Sequence, residues 1–278
     1  MSFWRCKERS FDLTEKPLIM GVLNLTPDSF SDGSRYDSVY EAVAAAEKMV
    51  ADGADILDIG GESTRPGAEP VSAEEEAERV IPVIEKLAGR LNVPISIDTW
   101  KATVAKAALN AGAEIVNDIS AMTFDPDMSG TIAESGAAVV LMHNRGRPAE
   151  MQKNTDYSDI VSEVMAFLDT RIQAAILAGI DEERIVVDPG IGFGKGASGN
   201  MEIIRRLREF HLLNRPILIG TSRKSFIGTA LNREVSERVF GTAASVAVAM
   251  MNGASIFRVH DVAAMRDTVD MVRAIMKS

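Results

Sequence analysis

The sequence is poor in the residues that build disulfides and metal clusters. It has one cysteine, Cys6, and three histidines among its 278 residues. A single cysteine excludes an intrachain disulfide and a cysteine-based zinc site. Three histidines argue against a histidine-rich metal site, so a bound metal would be expected to have oxygen ligands.

The sequence also lacks a long hydrophobic run and an excess of positive charge. Its longest run of small and apolar residues, 241–251, is about half the length that crossing a bilayer requires. The first seven residues lack the apolar segment of a signal peptide. The formal net charge is −10, with acidic and basic residues interleaved, which argues against nucleic acid or a membrane as a partner. We therefore expect a cytoplasmic protein.

What the sequence does contain is a series of eight short apolar runs, each followed by polar residues or glycine. The runs cover residues 18–23, 54–59, 94–97, 114–117, 137–142, 184–187, 216–219 and 255–259. Helical periodicity separates each run from the next. This pattern is typical of parallel strands that are buried on both faces and joined by helices.

Local signals predict where several of the helices begin and end. Ser38 with Glu41, and Ser72 with Glu75, have the form of capping boxes at helix starts. Gly112 follows an alanine-rich helix, where glycine is favoured because it tolerates a positive φ.

Eight such units favour an α/β fold, a (β/α)₈ TIM barrel formed by a single domain of residues 1–278. A doubly wound open sheet is the alternative, but it usually has fewer strands and one glycine-rich dinucleotide turn. Residues 190–196 contain four glycines, yet no acidic residue about twenty positions on completes a dinucleotide fingerprint. We expect these glycines to let the backbone approach a flat ligand, with the Phe193 ring facing it.

In a barrel, residues that follow the strands meet at the C-terminal mouth, where active sites lie. Asp98, Asn117 and Asp188 each follow or end a strand. Carboxylate and amide groups together match the N–H and C=O edge of a planar heterocycle. The alternative is that each of them caps the following helix.

Basic residues follow the last two strands. Lys224 comes after the seventh strand, and Arg258 and His260 end the eighth. These loops bind phosphate in many barrels, and an arginine with a helix N-terminus near Asp261 would suit a polyanion. The alternative for Arg258 or His260 is a salt bridge that closes the barrel. An oxygen-ligated Mg²⁺ between Asn24 and a diphosphate also stays open.

Taken together, the polar segments resemble those of bacterial dihydropteroate synthases from about residue 17 to the C-terminus. The segments are NLTPDSFSDG from Asn24, STRPG from Ser63, DT from Asp98, ND from Asn117, DPGIGFGK from Asp188, SRKS from Ser222 and RVHD from Arg258. Residues 143–156 carry no signature.

The resemblance implies condensation of 6-hydroxymethyl-7,8-dihydropterin diphosphate with p-aminobenzoate, giving 7,8-dihydropteroate and pyrophosphate, with Mg²⁺ as cofactor. It implies that diphosphate leaves before the amine attacks, and that the protein is a homodimer. The resemblance implies that the pterin is bound by Asp98, Asn117, Asp188 and Lys224. It implies that the diphosphate is bound by Asn24, Arg258 and His260, and that Asn24 also binds the metal. The p-aminobenzoate pocket would be formed by Thr64, Arg65, Pro66, Phe30 and Phe193, and Ser225 would also contact substrate.

Two other functions are weighed beside this one. A pterin-binding methyltransferase barrel would share the Asp and Asn contacts but has no use for the anion-binding residues. A pterin-binding protein without catalytic activity is the other alternative, although nothing is missing from the motifs. Residues 25–33 and 62–67 form two polar loops on neighbouring strands, and we expect them to close over the mouth and exclude water.

Overall fold

The computed structural model describes residues 3–26, 35–64 and 67–278. Its strands are β1 Phe3–Cys6, β2 Arg9–Asp12, β3 Leu18–Asn24, β4 Ile56–Gly60, β5 Ile95–Asp98, β6 Ile115–Asp118, β7 Ala138–Met142, β8 Ile185–Asp188, β9 Leu218–Ile219 and β10 Ile256–Val259. Its helices are α1 Arg35–Ala51, α2 Ala73–Leu87, α3 Ala102–Ala111, α4 Met128–Ser135, α5 Ile160–Leu177, α6 Ala197–Arg205, α7 Ser225–Leu231, α8 Val239–Met251 and α9 Val262–Lys277.

Strands β3 to β10 form one parallel sheet in the order β8-β7-β6-β5-β4-β3-β10-β9. The first and last strands of the series, β3 and β10, are neighbours. A parallel bridge between Val187 and Ile217 joins β8 to the segment before β9. The predicted (β/α)₈ barrel is therefore confirmed, and the open doubly wound sheet is wrong.

Side chains alternate between the two faces of each strand, as the pleat requires. In β5, Ile95 and Ile97 belong to the core between the strands and the helices. Ser96 and Asp98 alternate with them and point to the inside of the barrel. This alternation places the polar residue that ends a strand at the mouth.

The N-terminal hairpin of β1 and β2 is a feature that the sequence did not predict. Its Trp4 and Cys6 are fully buried against Leu18, Ile56 and other residues of the barrel interior. The Trp4 indole Nε1 donates to the carbonyl of Arg184, 3.1 Å away, just before β8. The hairpin therefore covers the N-terminal end of the barrel, opposite the mouth.

The helix signals were partly right. Ser72 is the N-cap of α2, and its Oγ accepts from the N–H of Glu75 at 3.1 Å. Gly112 ends α3 at a φ of +119°. Ser38 was wrong as a cap, because α1 already includes Arg35 and Ser38 therefore lies within the helix. Among the described residues, no helix combines the length and apolarity that spanning a membrane requires.

Candidate active site

The parallel register places four strand ends side by side at the barrel mouth. Asn24 pairs with Gly60, Gly60 with Asp98, and Asp98 with Asn117. A Cβ on Gly60 would stand 3.4 Å from the Cβ of Asp98 and 3.8 Å from the Asn24 side-chain oxygen. Glycine at this position therefore keeps the space between the two polar side chains open.

A cleft at the mouth collects most of the predicted site residues. It is lined by Thr64, Asp98, Asn117, Ile119, Met142, Asp188, Ile191, Phe193, Gly220, Lys224 and Arg258. Asn24, Ser225 and His260 were predicted as well but lie beside this lining, at the end of β3, the start of α7 and the end of β10. Phe30, Arg65 and Pro66 lie outside the described residues.

Arg258 bridges two acidic residues inside the mouth. Its Nε donates to Asp58 Oδ2 and its Nη2 donates to Asp98 Oδ2, each at 2.6 Å. Burial lowers the pKa of Arg258, but Asp58 and Asp98 outweigh it and raise the pKa above its ordinary value. The guanidinium is therefore a fixed positive charge, and Arg258 does form the salt bridge across the barrel that was its alternative role.

The two carboxylate oxygens of Asp98 differ in their hydrogen bonding. Its Oδ2 is bonded to Arg258, whereas its buried Oδ1 has no hydrogen-bond partner in the described ranges. Burial raises the pKa of Asp98 to about 7, and Asp58 adds to the rise while Arg258 opposes it. A buried acceptor without a partner is costly, so Oδ1 is suited to a ligand N–H.

Asp188 is arranged in a similar way on the opposite side of the cleft. Its Oδ1 accepts from the backbone N–H of Gly190 at 2.7 Å. Burial raises the pKa of Asp188 to about 6, although the Gly190 bond and Lys224 oppose the rise. Because Oδ1 is held by the backbone, Oδ2 is the acceptor that faces a ligand.

Lys224 packs against an aromatic ring in the cleft. Its Nζ lies 4.2 Å from the centroid of the Phe193 ring, within the range of a cation–π contact. Burial, with a smaller contribution from the Arg258 charge, lowers the pKa of Lys224 to about 8. Ser225 follows as the first residue of α7 and is exposed.

His260 is held by the loop after β9. Its Nδ1 lies 3.0 Å from Ser222 Oγ, and its backbone N–H donates to the same oxygen at 3.2 Å. Burial, with a smaller contribution from the charge of Arg258, lowers the pKa of His260 to about 4. The Asp261 carboxylate, which follows it, accepts from Arg223, with Nε at 2.9 Å.

Gly190, the first glycine of the glycine-rich run, packs closely against another segment of the protein. Gly190 has a φ of +71°, and a Cβ there would stand 1.9 Å from the carbonyl oxygen of His143. The buried Lys195 fixes this contact, because its Nζ lies 2.8 Å from His143 Nδ1 and 2.9 Å from the carbonyl oxygens of Gly190 and Phe193. The expected role is therefore wrong for Gly190, which approaches His143 and not a ligand, while Phe193 does line the cleft.

Residues 143–156, which carry no sequence signature, support this glycine-rich segment. Gln152 donates to the carbonyl of Gly192 at 2.7 Å, and Tyr157, just after this segment, donates to that of Gly194 at 2.9 Å. Both are contacts between distant parts of the chain, so spacing along the sequence could not reveal them.

Asp58 is the residue that the sequence reasoning missed. It lies in the middle of β4 and is fully buried. Its Oδ2 accepts from Arg258 and also from Asn117 Nδ2, at 3.1 Å. A lone carboxylate between Leu57 and Ile59 in an otherwise apolar strand was the signal available.

Comparison with known proteins identifies the family to which the chain belongs. A model for the family described as "Pterin binding enzyme" matches residues 20–260. A dihydropteroate synthase of Synechocystis sp. is 48% identical over 268 residues, which are 96% of this chain and 93% of that protein. The chain belongs to the dihydropteroate synthase family.

Solved structures of dihydropteroate synthases share the fold over the whole chain. The enzyme of Xanthomonas albilineans with 4-aminobenzoic acid has a TM-score of 0.93 and 43% identity, covering 100% of this chain and 99% of that one. The enzyme of the same organism in complex with 7,8-dihydropteroate has a TM-score of 0.90 and 41% identity, covering 99% of each chain. The dihydropteroate synthase fold is thus matched from end to end.

Proposed function

We propose that this chain is a transferase that condenses 6-hydroxymethyl-7,8-dihydropterin diphosphate with p-aminobenzoate. The products are 7,8-dihydropteroate and pyrophosphate. The observation that carries this proposal is the convergence of Asp98, Asn117, Asp188, Lys224 and Arg258 in one cleft of a dihydropteroate synthase barrel. The named Xanthomonas albilineans structures contain 4-aminobenzoic acid and 7,8-dihydropteroate, which supports the same pair of organic groups here.

The pterin ring binds through acceptors that the protein leaves available. Asp98 presents Oδ1 and Asp188 presents Oδ2, because their other oxygens are held by Arg258 and Gly190. Asn117 adds an amide group between them. Lys224 donates to the oxo and ring-nitrogen side of the pterin from its position over Phe193. Charged hydrogen bonds of this kind are stronger than neutral ones.

The diphosphate binds at the end of the cleft where β10 ends, with Arg258 in the strand and His260 just after it. The Nη1 of Arg258 remains outside its bonds to the two carboxylates. His260 has a lowered pKa in the protein without ligand, and its ring is held beside the anion site by Ser222. Asn24 ends β3, the strand next to β10.

Mg²⁺ is the proposed cofactor, and Asn24 is its proposed protein ligand. Within the described ranges, no three His, Cys, Asp or Glu side chains gather as a metal site of their own. One amide oxygen fits Mg²⁺ only when phosphate oxygens and waters complete the octahedron. The metal is therefore expected to depend on the diphosphate for binding, and when bound it supplies positive charge near the leaving group.

The reaction breaks the C–O bond between the pterin methylene carbon and the diphosphate. The electron pair of this bond leaves with the diphosphate, and Arg258 stabilises the negative charge that develops there. The p-aminobenzoate nitrogen then forms the new C–N bond with its lone pair and releases a proton to solvent. No general base is needed, because the charge of the pterin cation drives the attack.

The second substrate binds at the outer side of the cleft. Thr64 and Phe193 line this side, and Ser225 stands at the exposed start of α7. Arg65, Pro66 and Phe30 remain proposed parts of the pocket. Formation of 7,8-dihydropteroate from the two substrates, followed by chromatography and mass spectrometry, tests the proposal. A methyl transfer to or from the pterin without use of p-aminobenzoate would favour the methyltransferase alternative.

We also propose that the protein is a cytoplasmic homodimer. The faces of α6, α7 and α8 form an apolar groove on the outside of the barrel. Leu231 and Val248, which line the groove, are 53% and 46% exposed, and Phe240 is 83% exposed. Exposed apolar surface of this kind is typical of a protein interface. The mass in solution by light scattering tests the dimer, and Val248→Glu should shift it to a monomer.

A further inference from the structure

A single oxygen atom beneath the cleft holds two of the residues that line it. Asp58 Oδ2 accepts from Asn117 Nδ2 at 3.1 Å and from Arg258 Nε at 2.6 Å. Asn117 and Arg258 line the cleft, whereas Asp58 is fully buried behind them. We propose that Asp58 is a positioning residue that determines which groups Asn117 and Arg258 present to the pterin diphosphate. This inference rests on the proposed function and deepens it.

The first consequence concerns the amide of Asn117. An ionised carboxylate only accepts hydrogen bonds, so the Asn117 nitrogen must face Asp58. The amide oxygen then points away from Asp58. An asparagine without this partner presents either its donor or its acceptor to a ligand, and the two forms have opposite complementarity. Asp58 removes that choice and leaves an acceptor facing the pterin N–H groups.

The second consequence concerns the guanidinium of Arg258. Its Nε is held by Asp58 and its Nη2 by Asp98. Two charged bonds to a planar group fix both its position and the orientation of its plane. The side chain is therefore ordered before substrate arrives, and binding loses less side-chain entropy than it would with a free arginine.

A purely structural role is the competing explanation, because a buried carboxylate paired with arginine also stabilises the fold. The two explanations differ in what removing Asp58 does to Asn117. If Asp58 positions Asn117, the effects of mutating the two residues on pterin binding are coupled. If Asp58 acts only on stability, the effects on pterin binding are absent or independent.

The test is a double-mutant cycle of Asp58→Ala and Asn117→Ala, with affinity for a 6-hydroxymethylpterin that lacks the diphosphate measured by calorimetry. Asp58→Ala should weaken binding at least tenfold. In the Asn117→Ala background the same change should cost less than threefold. The KM for p-aminobenzoate should stay within twofold of wild type in Asp58→Ala.

A conservative variant and a matched control complete the design. Asp58→Asn keeps an oxygen that accepts from Asn117 and should bind the pterin within threefold of wild type. Asp55→Ala removes another Asp–Arg contact, the part-buried one with Arg266 just before the same strand, and should leave pterin affinity unchanged. If Asp58→Ala does not fold, Asp58→Ser takes its place with the same expected loss, because its hydroxyl is too short to reach both donors.

The inference is overturned if the folded Asp58 variant binds the pterin within twofold of wild type, if the cycle is additive, or if Asp58→Asn is as weak as Asp58→Ala. Wild-type protein that does not bind the pterin at all would instead contradict the proposed function. The two failures are therefore distinguishable in one set of titrations.

Discussion

Arg258 Nη2 donates to Asp98 Oδ2 at 2.6 Å across the barrel mouth. The pair joins a residue proposed for the diphosphate to a residue proposed for the pterin. Each group shifts the pKa of the other: Arg258 opposes the rise in the Asp98 pKa, and Asp98 helps to raise the pKa of Arg258. Binding at the two ends of the substrate is therefore expected to be linked through this contact.

The pH dependence of pterin binding follows from the two carboxylates. The pKa of Asp98 is raised to about 7 and that of Asp188 to about 6. The ionised forms accept the pterin N–H groups, so protonation removes binding. As the pH falls through 7 and then 6, affinity should fall, by up to about tenfold per pH unit for each group. Calorimetry between pH 5.5 and 8.5 measures the pterin affinity at each pH.

The same pH titration of the Asp98→Asn variant shows which change in affinity belongs to Asp98. This variant should bind more weakly at every pH, and the change near pH 7 should disappear while the change near pH 6 remains. A wild-type affinity that is flat from pH 8.5 to pH 5.5 would show that neither carboxylate is an acceptor for the pterin.

Asp188→Asn should weaken pterin binding by tens of times or more. The new amide would use its oxygen to accept from Gly190, which holds Oδ1 now, and would turn its N–H₂ towards the N–H groups of the ligand. Leaving such a partner unpaired costs about 2–5 kcal/mol. Calorimetry with the pterin measures the loss.

Asp118→Asn is a suitable control for that change. Asp118 is also a buried carboxylate at the end of a strand, but its oxygens accept from Ser120 and from the N–H of Met122. It should retain wild-type pterin affinity. Unchanged affinity in Asp188→Asn itself would remove Asp188 from the binding site.

Much of this architecture was predictable, because the strands are short apolar runs and the polar residue at each strand end marks the mouth. Asp98, Asn117 and Asp188 were placed together by that logic alone. The N-terminal hairpin was not predictable, since its strands are four residues long and carry no strong alternation.

The contacts that hold the cleft residues from behind could not be predicted from the sequence either. Asp58 acts on residues 59 and 200 positions away, and Lys195 reaches His143 over 52 positions. Such contacts depend on how the barrel closes and not on local spacing. Ser38 failed as a cap for a related reason, because a serine followed by a glutamate three positions later also occurs inside a helix.

Lys101→Met should destabilise the fold strongly. Lys101 Nζ lies 2.8 Å from Glu62 Oε2 and 2.6 Å from Glu76 Oε2, and the Glu76 side chain is fully buried. Burial raises the pKa of Glu76 even with Lys101 present. Removing the cation leaves buried carboxylates unpaired, at a cost of about 3–5 kcal/mol. Urea unfolding measures the loss in the free energy of unfolding.

Two variants accompany this measurement. Lys48→Met removes an exposed pair with Asp52, in which the lysine side chain is 73% exposed, and should cost less than about 1 kcal/mol. Adding Glu76→Gln to Lys101→Met should recover part of the stability. Equal unfolding midpoints for Lys101→Met and Lys48→Met would contradict the buried-pair account.

Lys224 should not form a covalent adduct with substrate. A lysine in a barrel mouth with a lowered pKa, here about 8, is chemically able to form a Schiff base with a carbonyl compound. Its position over the Phe193 ring and beside Asp188 suits a hydrogen-bond donor instead. Borohydride treatment during turnover should leave the protein mass unchanged, and a stable adduct on Lys224 would overturn its proposed role.

The most direct test of the central claim is the release of pyrophosphate from 6-hydroxymethyl-7,8-dihydropterin diphosphate in the presence of Mg²⁺. A coupled pyrophosphate assay with and without p-aminobenzoate measures it. Release should depend on added p-aminobenzoate and match the 7,8-dihydropteroate formed mole for mole. Tight pterin binding without any p-aminobenzoate-dependent release of pyrophosphate would show that the cleft recognises pterins but does not catalyse the condensation.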